Sequence, residues 1–358
     1  MSDTITKFTY QAFQQSKIYF AIAHKQISTR LRNFIYPNLE LKTKSLSLEI
    51  LKKMQQRIDE IMEKDLADGE KGIYPIKIIF DHPWADFLSF YPSLWLDMPT
   101  VWERIKQKKY QDFALPIETK GYPSYYLQNF HYQTDGYLSE MSANLYDLQV
   151  EILFNGSADA MRRRILAPLK MGLEKMFDGQ NLEAIAPQKL RVLDIACGTG
   201  RTLKFIRATL PKAALYGVDL SPAYLKKANQ LLSEELGELP QLLQGNAENL
   251  AFRDNFFQAT TCVFMFHELP PVVRQKVMEE AFRVTQPGGI FIICDSIQVC
   301  DEPDFLPMLE NFAVMFHEPY YKSYITDNLE TGLEKAGFIN IATETHFMSK
   351  YWISYKPE

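Results

Sequence analysis

The stretch RVLDIACGTGRTLKFIRATL, residues 191–210, constrains the fold more than any other part of the chain. An apolar run ends in Asp194, a turn containing Gly198 and Gly200 follows, and a segment of helical apolar spacing begins at Arg201. A buried strand that passes through glycines directly into a helix is the first half of a strand–helix–strand unit. Such units build parallel sheets covered by helices. The chain keeps this grammar to its end. ALYGVDL (214–220) reads as a second strand, and Ser221 and Pro222 then open a helix as its N-cap and first position. LLQGNA (242–247), FFQATTCVFMF (256–266) and IFIICDS (290–296) read as further strands. The helix PVVRQKVMEEAFRVT lies between the last two and is stopped by QPGG. LETGLEKAGF predicts a helix, and INIATETHFMSKYWISYK a closing hairpin.

Upstream of APQ (186–188) the pattern differs, which divides the 358 residues into an amino-terminal region 1–186 and an α/β region 187–358. Helices are expected over 10–34, 45–67, 137–154 and 157–177. Short helices and loops are expected over 71–135, where proline and aromatic residues recur. From Thr4 to Leu39 there is no acidic residue, and Phe13, Phe20, Ile27, Leu31 and Phe34 fall near one helical face. That face either packs on its own domain or touches an anionic membrane surface as a basic amphipathic helix.

Net charge is −5, all of it in 187–358, and neither region carries the cluster of Lys and Arg that phosphate neutralisation requires. No nucleic-acid partner is expected; a small-molecule or protein substrate is. Four cysteines without a C-x-x-C pair, and no long apolar run or secretory leader, read as a reduced, cytoplasmic protein. The oligomeric state is not legible.

Three strand ends carry polar residues that would share one crevice: the glycine turn, Asp219 and Asn246. A dinucleotide site would want glycine where Leu203 stands, and the Walker pattern is absent. A different nucleoside ligand fits better, with the Asp219 carboxylate accepting from ribose hydroxyls. LDIACGTGR, YGVDLSPAYLKKA, GNAENLAFRDNFFQATTCVFMFHELP and RVTQPGGIFIICDS occur in the order and spacing of a known family. Residues 187–358 resemble a class I S-adenosylmethionine-dependent methyltransferase, of the small-molecule branch that includes ubiquinone and menaquinone biosynthesis enzymes. The resemblance implies a Rossmann-like, doubly wound, mostly parallel seven-stranded sheet with an antiparallel last strand, beside a mainly helical amino-terminal domain. It implies S-adenosyl-L-methionine as cofactor. Asp194, Ala196, Gly198 and Gly200 would lie around its methionine part, Asp219 and Leu220 at the ribose, Asn246 and Ala247 at the adenine, and Phe264 at the end of the fourth strand. Asn246 stands where the family often has Asp, and Gln258 replaces another common acidic residue. Residues 129–164 resemble an extension found on methyltransferase-like proteins of photosynthetic lineages. By analogy with lids that precede the first strand, Tyr132, Asp135 and Tyr137 are candidates to cover the cofactor.

FHELPP (266–271) follows the fourth strand, where methyltransferases acting on amide or exocyclic nitrogens often carry an Asn/Asp-Pro-Pro-aromatic motif. His267 is expected as general base there with Glu268 orienting it, against a reading in which Glu268 caps the next helix. FHEPYY (316–321) lies in an insertion with Phe305 and Phe312 and predicts an apolar acceptor pocket, with His317, Tyr320 and Tyr321 at the substrate. A metal would need both His–Glu pairs to converge, and Pro271 occupies the second histidine position of H-E-x-x-H, so none is expected. The expected reaction is methyl transfer to O or C of a lipophilic or aromatic small molecule. The alternatives are a protein or carboxyl methyltransferase, or a catalytically silent cofactor-binding interaction protein.

Overall fold

A computed structural model describes residues 4–114 and 117–358. The amino-terminal region is helical: α1 (Thr4–Ile35), α2 (Leu48–Glu70), α3 (Trp84–Gln107), α4 (Glu140–Leu153), α5 (Ala158–Arg163) and α6 (Leu166–Met176). Then follow β1 (Arg191–Ile195), α7 (Arg201–Thr209), β2 (Ala214–Asp219), α8 (Pro222–Ser233), β3 (Gln241–Gln244), β4 (Phe257–Val263), α9 (Pro271–Val284) and β5 (Thr285–Ser296). The chain closes with α10 (Leu306–Met315), α11 (Tyr321–Tyr324), α12 (Leu329–Ala336), β6 (Ile339–His346) and β7 (Ser349–Tyr355). The strands form one seven-stranded sheet in the order β3-β2-β1-β4-β5-β7-β6. Only β7 runs antiparallel to its neighbours, as the hairpin predicts. The strand order reverses between β1 and β4, which opens a crevice at their carboxyl ends.

Two expectations are corrected. Residues 71–135 contain one long helix, α3, which runs through Pro92 and Pro99. Both prolines lie on its exposed face. The buried face, Phe87 and Leu94, packs on Leu145, Leu148 and Ile152 of α4. In α1 the expected apolar face is mostly outward, with Phe13 alone of the five packed inward on Phe80 and Trp84. Phe20, Ile27, Leu31 and Phe34 are exposed, while Tyr10, Gln14, Lys17, Ile18, Ala21 and His24 turn inward. The inward face is chosen by partners rather than by hydropathy: Lys17 pairs with buried Glu151 at 3.4 Å, and Tyr10 reaches Asp65. No helix among the described residues is long and apolar enough to cross a membrane.

Asp65 organises the helical region. Its carboxylate accepts from Arg163 Nε and Nη2 at 2.8 and 2.7 Å, from Tyr10 at 2.6 Å and from Tyr74 at 2.8 Å. All four residues are buried. The core continues across residue 186. Gly172 of α6 lies so close to β5 that a Cβ there would sit 2.5 Å from Ile290 Cδ1. Arg201, the residue after the glycine turn, donates to Asp159 of α5 at 2.6 Å and to Asp81 at 3.0 Å. The helical region is thereby tied to the turn that shapes the crevice. Asp65→Ala leaves the Arg163 guanidinium buried and unpaired, so a loss of roughly 3–5 kcal/mol of stability is expected in urea denaturation.

Candidate functional site

The crevice is built from the residues that follow each strand. Ala196, Gly198, Asp219, Leu220, Asn246, Ala247 and Phe264 all line it. The Asp219 carboxylate accepts from Gly198 N at 2.9 Å and from Ser221 N at 2.8 Å, so it fixes the glycine turn and keeps further lone pairs free. Burial raises its pKa to about 6, against the pull of those two N–H donors. Ala196 and Phe264 hold positive φ, 56° and 60°, at the ends of β1 and β4. Such backbone costs about 1–3 kcal/mol per residue and clusters at ligand sites. Gly198 also has positive φ, and a Cβ added there meets only Tyr224, at 4.0 Å, so the turn presents bare backbone to the crevice.

Two expected contacts lie elsewhere. Asp194 is buried beneath the turn, where it accepts from Thr261 Oγ1 at 2.7 Å, and burial lifts its pKa to about 7. A Cβ on Gly200 would stand 3.1 Å from that of Ala228, so this glycine lets α8 approach α7. Both residues shape the turn without lining the crevice. The Asn246 amide oxygen accepts from Glu248 N at 2.9 Å and so is held in place by its own loop.

The helical region roofs the crevice with Tyr125, Tyr126, Phe130, Tyr137 and Tyr146. Of these, sequence reasoning singled out only Tyr137; the run YYLQNFHY was the available signal. The Tyr126 hydroxyl is buried with no hydrogen-bond partner among the described residues. An unpaired hydroxyl above bare glycine backbone and a carboxylate fits a ligand with polar edges and a flat apolar face.

A family model described as "Methyltransferase domain" matches residues 192–289. An uncharacterized methyltransferase of Synechocystis sp. is 32% identical over 177 residues, covering 48% of this chain and 78% of that protein. The chain belongs to the class I S-adenosylmethionine-dependent methyltransferases. A ubiquinone/menaquinone biosynthesis C-methyltransferase of Bartonella tribocorum is 31% identical over 129 residues, covering 35% of this chain and 49% of that one. A demethylmenaquinone methyltransferase of Geobacillus stearothermophilus is 34% identical over 109 residues, 30% and 46% of the two chains. The match thus spans about half the length of each of these two relatives. S-adenosylmethionine is the cofactor, and the crevice is where the residues of this methyltransferase suit it.

A second cavity, of about 300 Å³, adjoins the crevice and shares Tyr146, Phe264 and Glu268 with it. Its walls are apolar: Val150, Leu153 and Phe154 from α4 and its end, Phe312 and Met315 from α10, and Phe347 and Met348 from the hairpin turn. His267 stands on this wall. Its Nδ1 is 2.7 Å from Asp295 Oδ1, and Asp295 also accepts from the His267 backbone N–H at 3.3 Å. Burial alone would lower the imidazole pKa, but the Asp295 carboxylate outweighs it and the net shift is upward. Asp295, the last acidic residue of IFIICDS, therefore takes the orienting role expected of Glu268. Glu268 instead accepts from the Tyr137 hydroxyl and lies 3.8 Å from His267 Nε2.

The substrate-side expectations divide. Tyr321, Phe312 and Phe316 line the cavity and Tyr137 lines the crevice. His317 turns away from both, stacking on Tyr110 at 4.2 Å and meeting Gln128 at 2.9 Å. Glu318 points inward in its place, beside His131. Tyr132 lines a neighbouring cavity, Asp135 accepts from Ala114 N, Tyr320 packs at the outer edge of the tyrosine cluster, and Phe305 is core. His131 was not anticipated: a lone histidine between loop residues carries no spacing signal. Asp219→Ala removes two charge-assisted bonds from the turn and the carboxylate from the crevice. Calorimetry is expected to read a roughly 10–100-fold weaker affinity for S-adenosylmethionine.

Proposed function

We propose that this methyltransferase transfers a methyl group to O or C of a lipophilic aromatic small molecule that carries an acidic hydroxyl, such as a phenol or hydroquinone. The carrying observation is the apolar cavity that opens beside the crevice at Phe264 and Glu268, with His267 on its wall. When bound, S-adenosylmethionine supplies a methyl already activated by its sulfonium, so the protein has to align the acceptor, exclude water and remove a proton. The Asp219 carboxylate, the Gly198 turn and the Asn246–Ala247 loop are assigned to the cofactor, and the tyrosine roof to excluding water. The acceptor's rings lie among Phe154, Phe312 and Phe316. Its hydroxyl faces His267, whose Nδ1–H is held by Asp295 and whose Nε2 takes the proton. The oxygen anion so formed would take the methyl directly as its carbon–sulfur bond breaks and the neutral thioether leaves, or through a ring carbon, whose C–H proton then moves to oxygen as the ring rearomatises.

The walls support an uncharged scaffold: Lys25 is the only Lys or Arg among the cavity's residues. Relatives named as demethylmenaquinone methyltransferases and as ubiquinone/menaquinone biosynthesis C-methyltransferases support a quinone-like acceptor. The outer face of α1, with Phe8 and Phe34 at 72% and 84% exposure and no acidic residue in the helix, supports a lipid surface as its source. Vesicle flotation is expected to recover the protein with anionic lipid, and less of it after Phe8→Glu with Phe34→Glu.

Turnover of labelled S-adenosylmethionine into a lipid extract, with no label in protein, is the expected result; label in protein would reverse the reading. In His267→Ala the rate is expected to fall by roughly 10²–10⁴ with cofactor affinity retained. Asp295→Asn is expected to lower it in the same direction by freeing the imidazole orientation.

A further inference from the structure

His131, His267 and Glu268 each have one potential ligating atom within 4.8 Å of those of the other two. Glu268 Oε1 lies 3.6 Å from His131 Nε2 and 3.8 Å from His267 Nε2. Ligands of a tetrahedral zinc ion at about 2.0–2.1 Å stand roughly 3.3–3.5 Å apart, so the Glu268 pairs are near that spacing and the two imidazoles would have to draw together. Each imidazole also has its other nitrogen beside a buried carboxylate. His267 Nδ1 is 2.7 Å from Asp295 and His131 Nδ1 is 3.1 Å from Glu318. A carboxylate beside the outer nitrogen of each histidine is an arrangement found behind metal-ligating imidazoles.

The surroundings of His131 are built rather than incidental. Glu318 is buried, with 0% side-chain exposure, and the imidazole of His131 at 3.1 Å is its charge partner. The backbone holds His131 in place against its preference. His131 and Tyr132 have φ of 54° and 57°, and Arg104 and Asn129 clamp the loop through Tyr132 O at 2.8 Å and Gln133 O at 3.0 Å.

We propose that His131, His267 and Glu268 form a three-ligand site for a divalent transition-metal ion at the junction of crevice and acceptor cavity. Two imidazoles and one carboxylate suit zinc or iron(II) and disfavour magnesium and calcium, which want oxygen ligands. The remaining coordination positions face the cavity, where a hydroxyl oxygen of the acceptor is placed by the reading above. The ion occupies His267 Nε2, so on the base reading it competes with proton transfer.

The test uses the full chain, stripped with chelator and titrated with Zn²⁺ and with Co²⁺, read by equilibrium dialysis with elemental analysis and by the cobalt absorption spectrum. One ion per chain is expected, with a four- or five-coordinate cobalt spectrum. Affinity should weaken at least tenfold in His131→Gln and in Glu268→Gln, with thermal unfolding run alongside to confirm folded variants. Absence of stoichiometric binding, or equal binding in both folded variants, overturns the site. The activity arm separates this from the base reading. Loss of turnover on adding Zn²⁺ supports site and base together. Turnover that requires the ion keeps the site and removes the base. Turnover that needs His267 in a protein that binds no ion keeps the base and removes the site.

Discussion

The buried carboxylate of Asp159 holds this molecule's working parts in register. It lies between Arg162 and Arg201, at 3.1 and 2.6 Å. Arg201 is the first residue of α7, immediately beyond the glycine turn, while Asp159 and Arg162 belong to the helical region. A charge pair this deep is held by geometry, because removing either partner strands an ion in a medium that cannot solvate it. Arg162 also lies over the Phe264 ring, 5.4 Å from its centre, and Phe264 is the wall shared by crevice and acceptor cavity. One ionic contact therefore couples the cofactor turn, the helical region and the boundary between the two ligand spaces.

The helical region is a structural half of the site. It contributes the tyrosine roof, the α4 wall of the acceptor cavity and His131. The sheet contributes the carboxylate at β2, the glycine turn and the His267–Asp295 pair at the ends of β4 and β5. Backbone strain is concentrated along the same seam, at Ala196, Phe264, His131 and Tyr132. Strained residues persist only where surrounding packing over-determines them. Here the packing comes from both regions at once, through Phe154 stacked on Phe264 and through Arg104 on the Tyr132 carbonyl.

Local patterns were the most legible part of the chain. Strand–turn–helix alternation predicts every strand of the sheet within a few residues, because a buried strand must be apolar and a turn against a ligand must be small. β5 begins earlier than expected: it runs through Pro287 and Gly288 because its pairing with β4 shifts register near Phe257. Helical periodicity was weaker. α3 passes two prolines because both face solvent, and α1 buries Lys17 and Tyr10 while exposing phenylalanines, because Glu151 and Asp65 await the polar groups. Hydropathy cannot foresee a buried counter-charge from another helix.

The amino-acid sequence by itself determined the sheet, the cofactor class and the strand ends at which Asp219 and Asn246 stand, since each depends on residues adjacent in the chain. It also singled out FHELPP, because that segment ends a strand. Only the tertiary structure decided what faces His267. The rhyming FHEPYY does not bring His317 to it. Asp295 arrives from the neighbouring strand, Glu318 turns inward beside the outward His317, and His131 comes from a loop more than a hundred residues upstream. Those contacts depend on which elements share a wall, and a lone histidine or carboxylate leaves no periodicity in a sequence from which that wall could be read.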